Sequence, residues 1–230
     1  MLFNKHLEIR GQHALFSPSS TSWLRYDEEK ILEKIISVDR APIGTEIHEY
    51  AANEILLNHK AENATRRLKW GIESFIYSKY LTLEKKDGKN YISYADKMIK
   101  TMEYLPPEVW DTVKQYINDA VGYKMTPEQP LLYCEVVFGT ADAISFRNGI
   151  LRVHDLKTGA QPGKMEQLEI YAALTCLEYK LKPFEIEMEL RIYQNGEVLV
   201  HRPTVEDILP IMDQITTIGK LYKNTKKETE

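Results

Sequence analysis

The chain is poor in cysteine: Cys134 and Cys176 are the only two thiols in 230 residues. Two do not make a disulfide framework, and a reducing compartment suits them. It also has no uninterrupted apolar run near the ~20 residues that a bilayer span needs. The opening Met1-Leu2-Phe3-Asn4-Lys5-His6 carries no apolar signal core, so a soluble cytoplasmic protein is the expectation. An excess of positive charge is missing as well, the net charge being −4. Phosphate contacts come mainly from Lys and Arg, so any grip on nucleic acid must be local. Arg66-Arg67, Lys85-Lys86 and Lys223 to Lys227 could supply it, although each alone reads as a solvated face or tail. There is no internal repeat and no low-complexity linker.

What remains is the composition of one packed domain over residues 1–230, with 43% apolar and 28% charged residues. Residues 17–125 are mainly helical, 130–203 form a core of strands and a helix, and 204–230 give a closing helix and a charged, disordered tail. Ser19 or Ser20 caps a short helix through Trp23 and Leu24. Helices are expected over Gly44 to Asn58, Glu62 to Tyr80, Ala95 to Tyr104, Pro107 to Val121, Gly163 to Tyr179 and Thr204 to Tyr222. Strands are expected over Leu131 to Phe138, Phe184 to Tyr193 and Glu197 to Pro203, the last two around Asn195-Gly196. Asp87-Gly88 marks either a small hairpin or a helix-to-helix loop.

The stretch Gly139 to Gly159, GTADAISFRNGILRVHDLKTG, carries the chemistry. Asn148-Gly149 between two alternating runs is a type I′ hairpin signal, because both turn positions need positive φ. That turn sets Arg147 opposite Ile150, and continuing the register sets Asp142 opposite Asp155. Asp142, Ile144 and Phe146 then share an apolar face with Leu151, Val153, Asp155 and Lys157, while Ala141, Ala143, Ser145, Arg147, Arg152 and His154 form the more polar side. Opposed carboxylates repel at the ~5 Å spacing of cross-strand neighbours. A surface hairpin with solvated acids would tolerate this, but the apolar partners on the same face argue for a cation. A divalent ion such as Mg²⁺ or Mn²⁺ accepts two carboxylates with waters and phosphate. Lys157, two residues past Asp155, adds an ammonium to the same side, which is the equipment for phosphodiester hydrolysis.

These residues resemble the core of the PD-(D/E)XK nuclease superfamily, and within it the RecB-like, phage-encoded exonuclease branch. GTADAI and RVHDLKTG match the branch's two acidic motifs, with Asp in place of Glu at the second acid. Gln167 and Tyr171 in EQLEIYA match its Q-x-x-x-Y motif, and His48 in GTEIHEYA its helical histidine. SPSSTSWLRY partly matches the opening segment of one phage-associated subgroup.

The resemblance implies an α/β (α+β) fold, with a central mixed sheet in an αβββαβ restriction-endonuclease-like core and helices added at its N-terminal side. It implies one or two Mg²⁺ or Mn²⁺ ions held by Asp142, Asp155 and His48, with Lys157 catalytic and Gln167 and Tyr171 turned to the DNA backbone and the active-site lysine. By spacing alone His48 flanks an apolar stripe of Ile47, Ala51 and Ile55 and could equally be a core residue. Glu135, in the strand before the hairpin, is either the extra metal-holding acid of many members or an ordinary polar residue.

The chain has too few cysteines for the iron–sulfur cluster of some members. The expected activity is that of an exonuclease in phage or prophage recombination or DNA processing, leaving 5′-phosphate and 3′-hydroxyl ends. Its expected partners are DNA, a phage single-strand annealing protein and further copies of the chain, in the cytoplasm of a bacterial host. A structure-specific or nicking endonuclease on the same core, and an inactive nucleic-acid-binding or assembly protein, are the alternatives.

Overall fold

Asn148 and Gly149 have φ of 53° and 77°, and Asn195 and Gly196 have the same values. Both pairs thus take the type I′ geometry that matches the twist of the flanking strands. The computed structural model describes residues 1–6, 9, 14, 16–26, 43–88, 90–103, 105–159 and 162–227. The two turns join β2 (Val137–Arg147) to β3 (Ile150–Lys157) and β4 (Glu187–Gln194) to β5 (Glu197–His201). With β1 (Thr126–Cys134) they form one five-stranded sheet in the order β1-β2-β3-β4-β5. Neighbours are antiparallel except β3 and β4, which are parallel and need a crossover.

The helices are α1 (Ile43–Leu56), α2 (Thr65–Asp87), α3 (Ile92–Met102), α4 (Pro107–Gly122), α5 (Met165–Tyr179) and α6 (Val205–Lys227). Short 3₁₀ turns occupy Thr21–Arg25 and Pro183–Glu185. Pro107 opens α4, where its missing N–H costs nothing. The sequence α4-β1-β2-β3-α5-β4 gives the expected order of helix, three strands, helix and strand within a mixed α/β fold.

Several elements differ from the sequence reading. The strand expected over Leu131 to Phe138 is two strands with Glu135 and Val136 as their turn. β1 starts earlier because Pro127 and Pro130 are tolerated on an edge strand. Asp87-Gly88 is a helix-to-helix connection: Gly88, at φ 72°, caps α2 by donating its N–H to the Glu84 carbonyl. The tail read as disordered is helical through Lys227, and residues 228–230 lie outside the described residues, as does Tyr104.

Both faces of the sheet are covered. On one, Ile144, Leu151, Val153, Leu190 and Ile192 pack against α5, α6, Phe16 and Trp23. On the other, Ala143, Leu156 and Tyr193 pack against α1 to α4. The side expected to be the more polar one is therefore buried. His154 lies fully buried on it, its Nδ1 3.1 Å from the Tyr193 hydroxyl, which donates to Asp119 at 2.7 Å. Arg191 and Arg152 both reach Glu189 there, while Ser145 Oγ and His154 Nε2 are buried without a hydrogen-bond partner among the described residues. No helix among the described residues is long and apolar enough to cross a membrane.

Candidate metal centre

The β2–β3 register holds as expected from Arg147–Ile150 through Ala143–His154 and stops one pair before the two acids. A regular ladder would continue with a main-chain bond to the Leu156 N–H; here the Asp142 carboxylate accepts it instead, at 2.8 Å. Asp142 and Asp155 therefore do not form a ladder pair. They stand where the strands begin to part, still close enough for each to act on the other's charge.

α1 brings His48 to this point, its Nδ1 3.4 Å from Asp142 Oδ2. β1 brings Glu128, and one ligand atom from each of His48, Glu128 and Asp142 lies within 4.8 Å of the others. Glu128 has φ of 45°, a left-handed conformation that costs a side-chain-bearing residue about 1–2 kcal/mol. The ladder skips it between Pro127 and Gln129. Such strain persists where the surroundings over-determine it, commonly at functional sites.

Asp155 is 2% exposed and split in role. Its Oδ1 accepts from the Lys157 ammonium at 2.8 Å and from the Gln167 amide at 2.9 Å. Gln167 Oε1 accepts from the same ammonium at 3.1 Å, closing a triangle that fixes Lys157. Asp155 Oδ2 is buried with no hydrogen-bond partner. A buried carboxylate oxygen left unpaired is expensive, and a hard cation is the partner that its chemistry fits.

The electrostatics follow from this crowding. Burial pushes Asp155 up, the neighbouring Asp142 charge adds to it, and Lys157 and His48 only partly offset them, leaving the carboxyl at about 7. Burial opposes ionisation of Asp142 too, but His48, Lys157 and the Leu156 N–H together hold it below the usual range. Burial would lower His48, yet the Asp142 charge and hydrogen bond, with Glu128 and Asp155, raise it to about 9. The carboxylates crowd one another here, and the His48 and Lys157 charges beside them only partly relieve it. Asp142, Glu128 and His48 could hold one divalent ion between them.

The residues named from sequence are placed as follows. Asp142, Asp155, Lys157, His48 and Gln167 come together. Glu135 does not: it sits in the β1–β2 turn, where its carboxylate accepts from the Tyr222 hydroxyl at 2.5 Å. Glu128 takes the place proposed for it and was missed. It precedes the strand expected from Leu131, and only the β1–β2 register brings it beside Asp142. Tyr171 lies beside the site, buried and donating to the Thr140 carbonyl at 2.6 Å, with the Asp142 and Asp155 charges acting on its hydroxyl. It braces β2 against α5, and Gln167, also buried, orients Lys157 and Asp155. The SPSSTSWLRY segment packs at this end of the sheet. A Cβ on Gly139 would lie 2.5 Å from Pro18, and Arg25 pairs with Glu166, the residue before Gln167.

The family described as "Protein of unknown function (DUF2800)" matches the chain over residues 13–205, which include His48, Glu128, Asp142, Asp155, Lys157, Gln167 and Tyr171. No curated protein matches it.

Proposed function

We propose that this chain, which belongs to the DUF2800 family, is a metal-dependent DNA nuclease, and within that class an exonuclease of phage recombination or DNA processing. One observation carries the reading: His48, Glu128 and Asp142 converge beside a buried, unpartnered Asp155 oxygen and a lysine fixed two residues along. The donor set of one imidazole and two carboxylates suits Mg²⁺ or Mn²⁺, Mn²⁺ being the more tolerant of nitrogen. Such an ion supplies Lewis acidity towards a phosphoryl oxygen and a water of lowered pKa.

The chain's own residues do the rest. Asp142 and Asp155 keep their carboxylates at the point where the strands part, and the Leu156 N–H holds Asp142 in that direction. Lys157 keeps its ammonium on the Asp155 side through two hydrogen bonds, where it offsets charge developing on a phosphodiester and orients the attacking water. Gln167 keeps lysine and aspartate in one geometry, and Tyr171 holds β2 to α5 so that the distance between the acids does not drift. Such bracing matters because small misplacements of reacting groups cost large factors in rate.

The test is end-labelled linear DNA beside closed circular DNA, with Mg²⁺, Mn²⁺ or chelator. Linear DNA should be degraded only with metal, and circular DNA spared. Equal loss of both would replace the exonuclease by an endonuclease on the same core. No cleavage of any DNA or RNA in either metal would leave a nucleic-acid-binding protein without the chemistry.

A further inference from the structure

The two edges of the sheet are treated differently. β1 is closed: Pro127 and Pro130 lack donors, the Leu132 N–H is taken by the Glu178 carboxylate at 2.8 Å, and the Gln129 amide donates to the Asn4 carbonyl at 2.5 Å. β5, Glu197-Val198-Leu199-Val200-His201, has no proline, no lysine and no break in its register with β4. Leu199 is 58% exposed and Val200 44%. Among the described residues β5 carries none of these guards, and an apolar edge strand in that state is a template for pairing with another strand.

We infer that β5 is a self-complementary edge through which two copies of this chain pair antiparallel, about a twofold axis at Leu199. The hairpin decides which backbone groups are available. Its two-residue turn makes Gln194–Glu197 the closing hydrogen-bonded pair, so Glu197, Leu199 and His201 bond inward to β4. Val198 and Val200 therefore turn their N–H and C=O groups outward.

In the Leu199-centred register each outward valine faces the other valine of the second copy, and the pair exchanges both main-chain bonds. Leu199 meets Leu199, and Glu197 meets His201, at the non-hydrogen-bonded positions where side chains come closest. His201 already contacts Glu169 through Nε2, at 3.2 Å, which leaves Nδ1 for the second copy's Glu197. Centring the axis on Val198 or Val200 would set Glu197 against Leu199 or Pro203 instead, so charge selects one register. The inference does not depend on the nuclease reading.

A pair of five-residue strands covers less than the ~1,200–2,000 Å² of a standard interface, so the expected dissociation constant is on the order of tens of micromolar. Sedimentation of the full chain, across a series into the hundreds of micromolar, should show monomer passing to dimer. Val200→Pro deletes an outward donor while sparing the β4 ladder, and Leu199→Lys sets two ammonium groups together on the axis. Both should stay monomeric at wild-type melting temperature. Leu199→Cys in a Cys134→Ser background should form an intermolecular disulfide on mild oxidation, and Val198→Cys should not, because it does not face itself. That crosslink decides the matter if either of the first two variants fails to fold. A wild type monomeric throughout, or a dimer that persists in both variants, overturns the inference.

Discussion

At Asp155 one side chain is asked to satisfy opposing demands, and the demand that loses without metal is its own charge. Its carboxyl is raised from the ordinary 3.8 to about 7 by burial and by Asp142. The folded protein therefore binds a proton there that the unfolded chain releases, and stability falls as pH rises from about 4 to about 7. Asp155→Asn removes that penalty. It also keeps an amide oxygen for the Lys157 and Gln167 donors that now meet Oδ1. The variant should lack nuclease activity yet match or exceed the metal-free wild type in stability at neutral pH, by roughly 1–3 kcal/mol, with the advantage shrinking in acid. Denaturant melts of metal-free protein at pH 4.5 and pH 7.5 check it. A variant less stable at both would mean that the carboxylate's hydrogen bonds outweigh its repulsion, and the paired-acid argument would fail.

At the scale of elements, much was legible because the signals were local. Asn148-Gly149 and Asn195-Gly196 each fixed a hairpin and its register, since a two-residue turn with positive φ leaves the strands no freedom to slip. The i, i+4 spacing put Gln167 and Tyr171 on one face of α5, but spacing cannot tell which of two buried partners a hydroxyl meets. Tyr171 went to a strand carbonyl. The errors lay where the answer was non-local. Glu135 and Glu128 are both glutamates and both precede Asp142. Only the place of the β1–β2 turn, decided by packing of the whole meander, sends one to Tyr222 and the other to the site. Polar residues on the second face of β2 and β3 resembled a solvent side for a like reason, because four helices distant in sequence cover them.

Across the whole molecule the site is where separate layers meet the sheet. His48 comes from the helices on one face, Gln167 from α5 on the other, and Glu128, Asp142 and Asp155 from the sheet between them. A ligand that binds only this assembled arrangement stabilises all of it. Adding Mn²⁺ should therefore raise the melting temperature of the whole domain in a single transition, and His48→Ala should diminish that rise while activity partly returns at higher Mn²⁺. Because His48 titrates at about 9 without metal, binding must expel its proton, so Mn²⁺ affinity should climb as pH rises towards that value. Calorimetry in buffers of different ionisation enthalpy counts the proton. A His48→Ala protein that melts lower but gains as much from Mn²⁺ as wild type would return this histidine to the core.

The single parallel pairing, β3 against β4, also has a consequence in time. β1, β2 and β3 can zip together through tight turns, and β4 with β5 likewise, but β3 and β4 can meet only after the chain has wound out through α5 and back. Closing that long loop costs entropy before any contact rewards it. The acids thus belong to the early-forming meander, while Gln167, which holds Lys157 in place, arrives with the crossover. We expect pulse-labelled hydrogen exchange during refolding to protect the β2–β3 amides first and those between β3 and β4 last. The reverse order would show the crossover forming ahead of the meander. On the expected order, the lysine is set in its working position only in the final act of folding, so a half-made chain carries the acids without the means to use them.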